Sequence, residues 1–358
     1  MKRRIVLAGG GTAGHIEPAL AVADAISNLP GEWELEFLGT SAGLESKLIP
    51  RRGYRLLQIS KVTLPRKFSL TVAAFPVRYL RVVLQTRKLL TGAAAVIGFG
   101  GYVSAAAYLA AKISGIPILV HESNAKPGWA NRLGRRFARV VAVNFTNVNK
   151  MWPESILTGI PIRKELSAVP QMRREQRSNI AKNYGLDPSL PIVALFGGSQ
   201  GSSTINRAVA DYLAAKRPEN IQIIHALGQG NSLPMKTARY LPLPYFEDMA
   251  SIYAIADLLI TRSGAVTCAE LISTGKFAVL VPLPHGNGEQ YENAAELVAA
   301  GNAVLVRDKE FSGTWLIENL FKILSKTPTD MSPKTFNLEA ANLIARLVND
   351  RLIETSRG

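Results

Sequence analysis

Short apolar runs alternate along this chain with amphipathic stretches of ten or more residues. Residues 5–8, 35–38, 94–97, 116–120 and 140–143 have the length and composition of buried strands, and residues 15–28, 69–90, 102–113 and 127–137 carry helical spacing between or after them. The rhythm then restarts, with strands expected at 192–196, 222–225, 257–261, 277–281 and 303–306 and helices near 202–216, 265–274, 289–300 and 314–325. Strand–helix alternation of this kind predicts an α/β fold with parallel, doubly wound sheets, here two Rossmann-like domains in series. Thr158-Gly159-Ile160-Pro161-Ile162-Arg163 breaks the pattern and marks the boundary, giving domains 1–160 and 161–335. A last amphipathic helix near 336–349 closes one domain or the other, and the 336–358 segment is a candidate to pack back on the first. Ligands of such sheets sit at the carboxyl ends of the strands, and two domains in series imply a cleft.

Composition narrows the class. With 358 residues and 47% hydrophobic content the chain can bury two cores. One cysteine, Cys268, excludes a disulfide framework and a cysteine-rich zinc site. Lys2-Arg3-Arg4 runs directly into a strand and then glycines, which is not the apolar core of a secretory signal. The net charge of +15 is lopsided: residues 1–160 hold 21 Lys/Arg against 8 Asp/Glu, residues 161–358 hold 21 against 19. One half therefore has an anionic partner surface. The uncharged stretch from Leu89 to Ala111 is long enough to span a bilayer, but it is alanine-rich and interrupted by Gly98-Phe99-Gly100-Gly101. A strand, a glycine turn and a buried helix fit it better than a membrane span.

The glycines fall where chemistry is expected. Gly9-Gly10-Gly11-Thr12-Ala13-Gly14-His15 follows the first strand and opens a helix, and Gly9, Gly11 and Gly14 satisfy G-x-G-x-x-G. Such loops let backbone amides and a helix N-terminus approach a diphosphate. A nicotinamide or flavin site would need an acidic residue at the end of the second strand, where Phe37-Leu38-Gly39-Thr40 has none, and no Gly-Lys-Ser/Thr follows any glycine cluster to make a P-loop. Phe196-Gly197-Gly198-Ser199-Gln200-Gly201 repeats the device in the second domain, and Thr261-Arg262-Ser263-Gly264-Ala265-Val266 supplies a third loop, with Glu270 two turns into the helix that follows. Each loop alone could be a tight turn; these three with Gly98–Gly101, all at expected strand carboxyl ends, point to several phosphate or sugar contacts.

Of the four histidines none is paired at metal spacing, and no Asp-x-Asp occurs, so neither a metal nor a cofactor is expected. A leaving diphosphate would draw its positive charge from helix N-termini and Arg163. His15, opening a helix, is placed to be a general base, or only to bond a phosphate or cap the helix. His121-Glu122-Ser123-Asn124 puts four polar residues at another strand's end, which reads as a site. Residues 61–88 interleave Lys61, Arg66, Lys67, Arg78, Arg81, Arg87 and Lys88 with Leu64, Phe68, Leu70, Phe75, Tyr79, Leu80 and Val83. That mixture suits an anionic membrane surface better than nucleic acid, for which no fold signature is present; the plain alternative is a solvated helix face.

Taken together, Gly-Gly-Thr-Ala-Gly-His (10–15) with Pro18, His-Glu-Ser-Asn (121–124), Gly-Ile-Pro-Ile-Arg (159–163), Gly-Gly-Ser-Gln-Gly (197–201), Arg-Ser-Gly-Ala-Val-Thr-Cys-Ala-Glu (262–270) and Gly-Asn-Gly-Glu-Gln-Tyr-Glu-Asn-Ala (286–294) resemble glycosyltransferase family 28, in family order over nearly the whole chain. The resemblance is to its peptidoglycan-synthesis branch, which adds N-acetylglucosamine to undecaprenyl-diphosphoryl-N-acetylmuramoyl-pentapeptide (lipid I). It implies a GT-B fold, an inverting, metal-independent transfer from UDP-N-acetylglucosamine, and peripheral attachment to the cytoplasmic face of the cell membrane. It further implies that Ser199 and neighbouring amides meet the donor diphosphate and that Arg163 helps bind the nucleotide sugar. The backbone at Phe246 would read uracil, Gly264, Ala265, Val266 and Thr267 would line the nucleotide, Glu270 would take the ribose and Gln290 the sugar hydroxyls. Thr12, Ala13, Gly14 and Asn124 would approach the donor sugar from the N-terminal domain, with Gly11, His15, His121 and Glu122 on the acceptor side. Two places depart from the family pattern: Glu17 stands where an apolar or aromatic residue is commoner, and Gly286-Asn287-Gly288-Glu289 replaces a His-Lys/Asp-Asp-type run. The rival readings are another GT-B enzyme, such as a UDP-N-acetylglucosamine 2-epimerase, and a non-catalytic nucleotide-sugar or membrane scaffold.

Overall fold

The structure is a computed structural model that describes residues 2–61, 70–215, 220–326, 333 and 335–353. Two compact units divide the chain, one of residues 1–163 with 336–358 and one of residues 164–335. The chain therefore leaves the first unit after Arg163, three residues beyond the boundary expected from the sequence, and returns to it at its C-terminus.

The first unit is built on a seven-stranded parallel sheet in the order β3-β2-β1-β4-β5-β6-β7. Its elements run β1 (Arg3–Ala8), α1 (Ala13–Ser27), β2 (Trp33–Gly39), α2 (Glu45–Arg51), β3 (Arg55–Gln58), α3 (Leu70–Leu89), β4 (Ala95–Gly98), α4 (Gly101–Ile113), β5 (Ile118–Glu122), α5 (Trp129–Arg135), β6 (Val140–Val143), α6 (Thr146–Met151) and β7 (Ile156–Leu157). Because side chains alternate along a strand, β1 feeds two cores. Ile5 and Leu7 pack with Ile16, Ala19, Ala23 and Ile26 of α1, while Val6 and Ala8 pack with Val103, Ala106, Ala107 and Ala110 of α4 and Val82 and Val83 of α3. The uncharged stretch around Gly98–Gly101 is the strand, glycine turn and buried helix that its composition favours.

The second unit has six parallel strands in the order β10-β9-β8-β11-β12-β13. After a 3-10 helix (Lys164–Gln171) come α7 (Arg174–Asn183), β8 (Ile192–Phe196), α8 (Ser203–Ala215), β9 (Gln222–Ala226), β10 (Tyr240–Leu243), α9 (Met249–Ile255), β11 (Leu258–Thr261), α10 (Ala265–Thr274), β12 (Ala278–Leu280), α11 (Glu289–Ala299), β13 (Ala303–Leu305) and α12 (Gly313–Leu324). One face of its sheet buries Val193, Leu195, Ile223 and Ile260 against Ile205, Val209 and Tyr212 of α8 and Leu316 and Leu320 of α12. The expected last helix is instead three pieces: a 3-10 turn (Thr335–Leu338), α13 (Ala340–Leu347) and a π-helical end (Val348–Ile353). They return to the first unit, where Ile344, Ala345, Val348, Leu352 and Ile353 complete the α1 side of its core.

In both sheets the first strand of the unit lies inside, and the strand order reverses on leaving it, between β1 and β4 and between β8 and β11. Each unit thus has a crevice at the carboxyl ends of those strands.

Candidate functional site

In the first unit the loops after β1, β4 and β5 meet at this reversal. Thr12 is the extended N-cap of α1 but makes no side-chain cap bond, and no acidic residue lies in the first turn. Gly264 before α10 likewise contributes no side-chain cap, whereas at the start of α11 Asn287 Oδ1 accepts from Glu289 N at 3.2 Å. Two helices of the second unit are closed by their own residues instead: Asp248 caps α9 through Ser251 N, and Ser312 caps α12 through Trp315 N. Uncapped first turns at strand carboxyl ends leave amides and dipole for a ligand.

His15 lies in the first turn of α1. Its Nδ1 is 3.1 Å from the Gly10 carbonyl oxygen and 3.4 Å from Thr12 Oγ1. A carbonyl only accepts, so Nδ1–H donates and Nε2 keeps its lone pair. The ring rests on the turn after β4: a Cβ at Gly100 would lie 3.3 Å from Nε2, and one at Gly101 3.3 Å from Nδ1, while both glycines have positive φ (+99° and +78°). Only glycine suits those two positions. Gly11 is exposed, but its N–H is taken by Glu45 Oε2 at 3.0 Å. Glu45 Oε1 accepts from Thr40 N at 3.0 Å and Thr40 Oγ1 at 2.8 Å. Burial pushes this carboxyl up, and the Gly11 and Thr40 donors more than offset it, leaving it below its ordinary value.

The polar run after β5 is largely turned inward. His121 is fully buried; its Nε2 lies 2.9 Å from the Gly159 carbonyl oxygen, its Nδ1 3.3 Å from Ser123 Oγ, and burial pushes its pKa down to about 4. Glu122 is also buried. It accepts from Asn124 N, Gly128 N and Asn131 Nδ2 at 2.9–3.0 Å, and burial raises its carboxyl pKa despite those donors. These two residues hold the loop together, and the half-buried Asn124 is the member of the run that they set in place. Arg163, where the chain leaves the unit, pairs with Glu17 at 3.1 Å, so the unusual acid in the second turn of α1 has a cationic partner.

In the second unit the loops after β8 and β9 cross backbone to backbone. A Cβ on Gly201 would fall 1.8 Å from the Leu227 carbonyl oxygen, and one on Gly228 2.2 Å from Gly201 N, at φ of +76° and +99°. Ser199 sits at the tip, its carbonyl accepting from Gln229 N at 3.1 Å. Beneath it Arg262 is buried, donating to Ser202 Oγ at 2.7 Å and to the Val281 and Pro282 carbonyls, and pairing with Asp308, which also accepts from Thr204 Oγ1. This fan of bonds ties the loops after β8, β11 and β12 into one floor. Ala265, Val266 and Thr267 form the first turn of α10; Glu270, further along, is buried and accepts from Tyr253 Oη at 3.0 Å. Cys268 is buried on the same helix, its thiol pushed up to about 12 by burial. Phe246 is buried edge-on against Phe196, with ring centroids 5.9 Å apart. Gln290 is held at the start of α11, its Oε1 accepting from Leu283 N and its carbonyl from Ser263 Oγ.

Thr12, Ala13, Gly14, His15 and Asn124 therefore gather at the first unit's strand ends, and Ser199, Gly264–Thr267 and Gln290 at the second's. Sequence reasoning passed over Glu45, Asn131, Arg262 and Asp308, all of which brace these loops. Arg262 stood inside a quoted motif; Glu45 was signalled only by its place after Thr40-Ser41-Ala42-Gly43-Leu44, a turn following the second strand. Among the described residues no group of three or more His, Cys, Asp or Glu is placed to share a metal ion.

Residues 5–143 match the glycosyltransferase family 28 N-terminal domain and residues 192–347 its C-terminal domain. A protein of Corynebacterium efficiens named as a UDP-N-acetylglucosamine–N-acetylmuramyl-(pentapeptide) pyrophosphoryl-undecaprenol N-acetylglucosamine transferase is 45% identical, over 96% of this chain and 96% of its own. One of the same name from Frankia casuarinae is 45% identical over 90% and 88%. Among solved structures, the MurG crystal structure of Acinetobacter baumannii superposes with a TM-score of 0.68 at 26% identity, covering 98% of this chain and 99% of that one. A UDP-GlcNAc 2-epimerase of Methanocaldococcus jannaschii gives 0.63 at 14% identity over 98% and 99%, a likeness of fold alone.

Proposed function

Since the chain belongs to glycosyltransferase family 28, we propose that it transfers N-acetylglucosamine from UDP-N-acetylglucosamine to the 4-hydroxyl of the muramic sugar of lipid I, forming lipid II for peptidoglycan synthesis, and so serves cell-wall growth, cell shape and division. The observation that carries this reading is identity near 45% along almost the whole length of transferases so named. The GT-B fold cannot distinguish a transferase from an epimerase, since both superpose on this chain.

The second unit takes the donor. Ser199, the amides beside it and the uncapped start of α10 receive the diphosphate, the Phe246 backbone the uracil, Glu270 the ribose and Gln290 the sugar hydroxyls. The buried Arg262, paired with Asp308, holds the loops beneath that site in place. In the first unit Thr12, Ala13, Gly14 and Asn124 approach the donor sugar, and Gly11 and His15, with the inner residues His121 and Glu122, meet the acceptor. His15 Nε2 removes the proton of the 4-hydroxyl, that oxygen bonds to the anomeric carbon, and the bond to UDP breaks with its electron pair going to the diphosphate. One displacement turns the α-linked donor into a β-linked product. Helix N-termini and Arg163 meet the developing charge, the electrostatic work a metal does in other transferases, so no cofactor is required.

The protein acts as a peripheral enzyme at the cytoplasmic face of the membrane, with no part played by nucleic acid. Among the described residues no helix is long and apolar enough to cross a bilayer. Instead α3 exposes Val77, Leu80 and Leu84 beside Arg78, Arg81, Arg87 and Lys88, while Val82 and Val83 are buried beneath. Leu64, Arg66, Lys67 and Phe68 of the same basic region lie outside the described residues.

Purified protein incubated with labelled UDP-N-acetylglucosamine, a short-chain lipid I analogue and a chelator should move label into the lipid. Label retained in the nucleotide sugar, or released as an epimer with donor alone, would overturn the transferase reading. Loss of transfer only when chelator is added would overturn its independence of metal.

A further inference from the structure

The brace behind the first glycine loop reaches His15 through a single peptide unit. Gly11 N–H, which donates to Glu45 Oε2 at 3.0 Å, and the Gly10 carbonyl, which accepts from His15 Nδ1 at 3.1 Å, are the two ends of the same peptide group. That group is planar and rigid, so fixing one end fixes the other. The carboxylate is itself immobile. Its other oxygen holds both the amide and the hydroxyl of Thr40, its residue is 1% exposed, and a Cβ at Gly10 or Gly43 would approach the carboxylate to 2.9 Å or 2.0 Å, one at Gly39 the Glu45 Cγ to 2.6 Å.

We propose that Glu45 is a positioning residue for the transfer reaction, acting on His15 through the Gly10–Gly11 peptide as a carboxylate acts directly on the histidine of a hydrolase triad. The inference rests on His15 being the base. An anion on the N–H polarises the peptide and makes its carbonyl a stronger acceptor. The Nδ1–H bond is strengthened, the imidazole is held in the tautomer that presents Nε2, and the imidazolium formed on proton abstraction is stabilised without Glu45 ever taking the proton. A glutamine cannot do this. With one acceptor oxygen it can satisfy Thr40 or Gly11, and its amide nitrogen would face an N–H. The carboxyl is ionised for this role, since its donors outweigh its burial.

The test is a double-mutant cycle on the intact enzyme with the short-chain lipid I analogue, measuring kcat, the KM of each substrate and the Kd of UDP. Glu45→Gln should lower kcat about 10- to 100-fold, by analogy with the loss of a hydrogen-bond partner behind a metal-binding histidine, with UDP affinity changed less than about two-fold. In a His15→Ala background the same change should cost nothing further in kcat, because the group it acts through is gone. Thr40→Val, which removes only one donor to the carboxylate, should give a smaller kcat loss that also vanishes in that background, and it serves where Glu45→Gln does not fold. Losses that multiply in the double variant, or a loss appearing only in KM, would overturn the proposal and leave His15 as base. A His15→Ala enzyme with undiminished kcat would overturn the base assignment and the proposal together.

Discussion

The His15 ring is located by contacts on three sides: the Gly10 carbonyl, the Thr12 hydroxyl and the bare backbone of Gly100 and Gly101. That location, at a helix start with Nε2 left as acceptor, makes a kinetic difference between base and ligand measurable. His15→Ala should reduce kcat about 100-fold or more, the usual worth of a positioned base, and leave UDP affinity nearly unchanged; equal losses in both would make it a binding residue. Glu17 illustrates how a departure from a family pattern becomes intelligible with coordinates. An acid two residues after the histidine is unexplained in the sequence, yet it forms the 3.1 Å pair with Arg163. The residues that sequence reading located were those in loops with unusual composition. Of those it missed, Glu45 and Asp308 act as acceptors for a distant amide and guanidinium group, and a lone carboxylate carries no local sign of which donor it will meet.

At the level of elements, ten of the strands among the described residues were visible as apolar runs and three were not. The missed strands β3, β7 and β10 all end a strand order. An edge strand has one neighbour and a half-exposed face, so β3 reads Arg-Leu-Leu-Gln, β7 is only two residues, and β10 contains Pro242. Helices α2, α6 and α9 span six or seven residues, too few for a period to show, and α7 buries only Ala181 among its ten. By contrast α10 matches its expected span because Gly275 ends it in the left-handed conformation (φ 62°, ψ 38°). Helix α3 carries the membrane prediction. Replacing Arg78 and Arg81 by alanine removes about 1 kcal/mol each of attraction to an anionic surface. Sedimentation with phosphatidylglycerol vesicles should therefore weaken about 30-fold at low salt, with UDP binding intact; unchanged sedimentation would assign that face to another role.

For the whole molecule, the two units share a response to acid. Each buries one histidine, His121 in the first and His225 in the second, and burial pushes both down to about 4. Unfolded, each would take a proton near its ordinary value of 6.5. Between about 6.5 and 4 the unfolded chain therefore binds more protons, and stability is lost as pH falls through that window. Each site contributes on the order of 3 kcal/mol across it. Urea midpoints should decline steadily from pH 7 to pH 5, and His225→Gln should flatten the part of that decline belonging to the second unit; a midpoint independent of pH would show that neither histidine is buried in its neutral form.

The return of the C-terminus to the first unit has a consequence for the order in which the protein can be made. The α1 side of the first core is closed by Ile344, Ala345, Val348, Leu352 and Ile353, some two hundred residues after the rest of that unit has left the ribosome. The second unit is contiguous and complete before them. The half synthesised first is thus the half finished last, and throughout translation of residues 164–335 its apolar α1 side stays open to any chaperone that reads such surfaces.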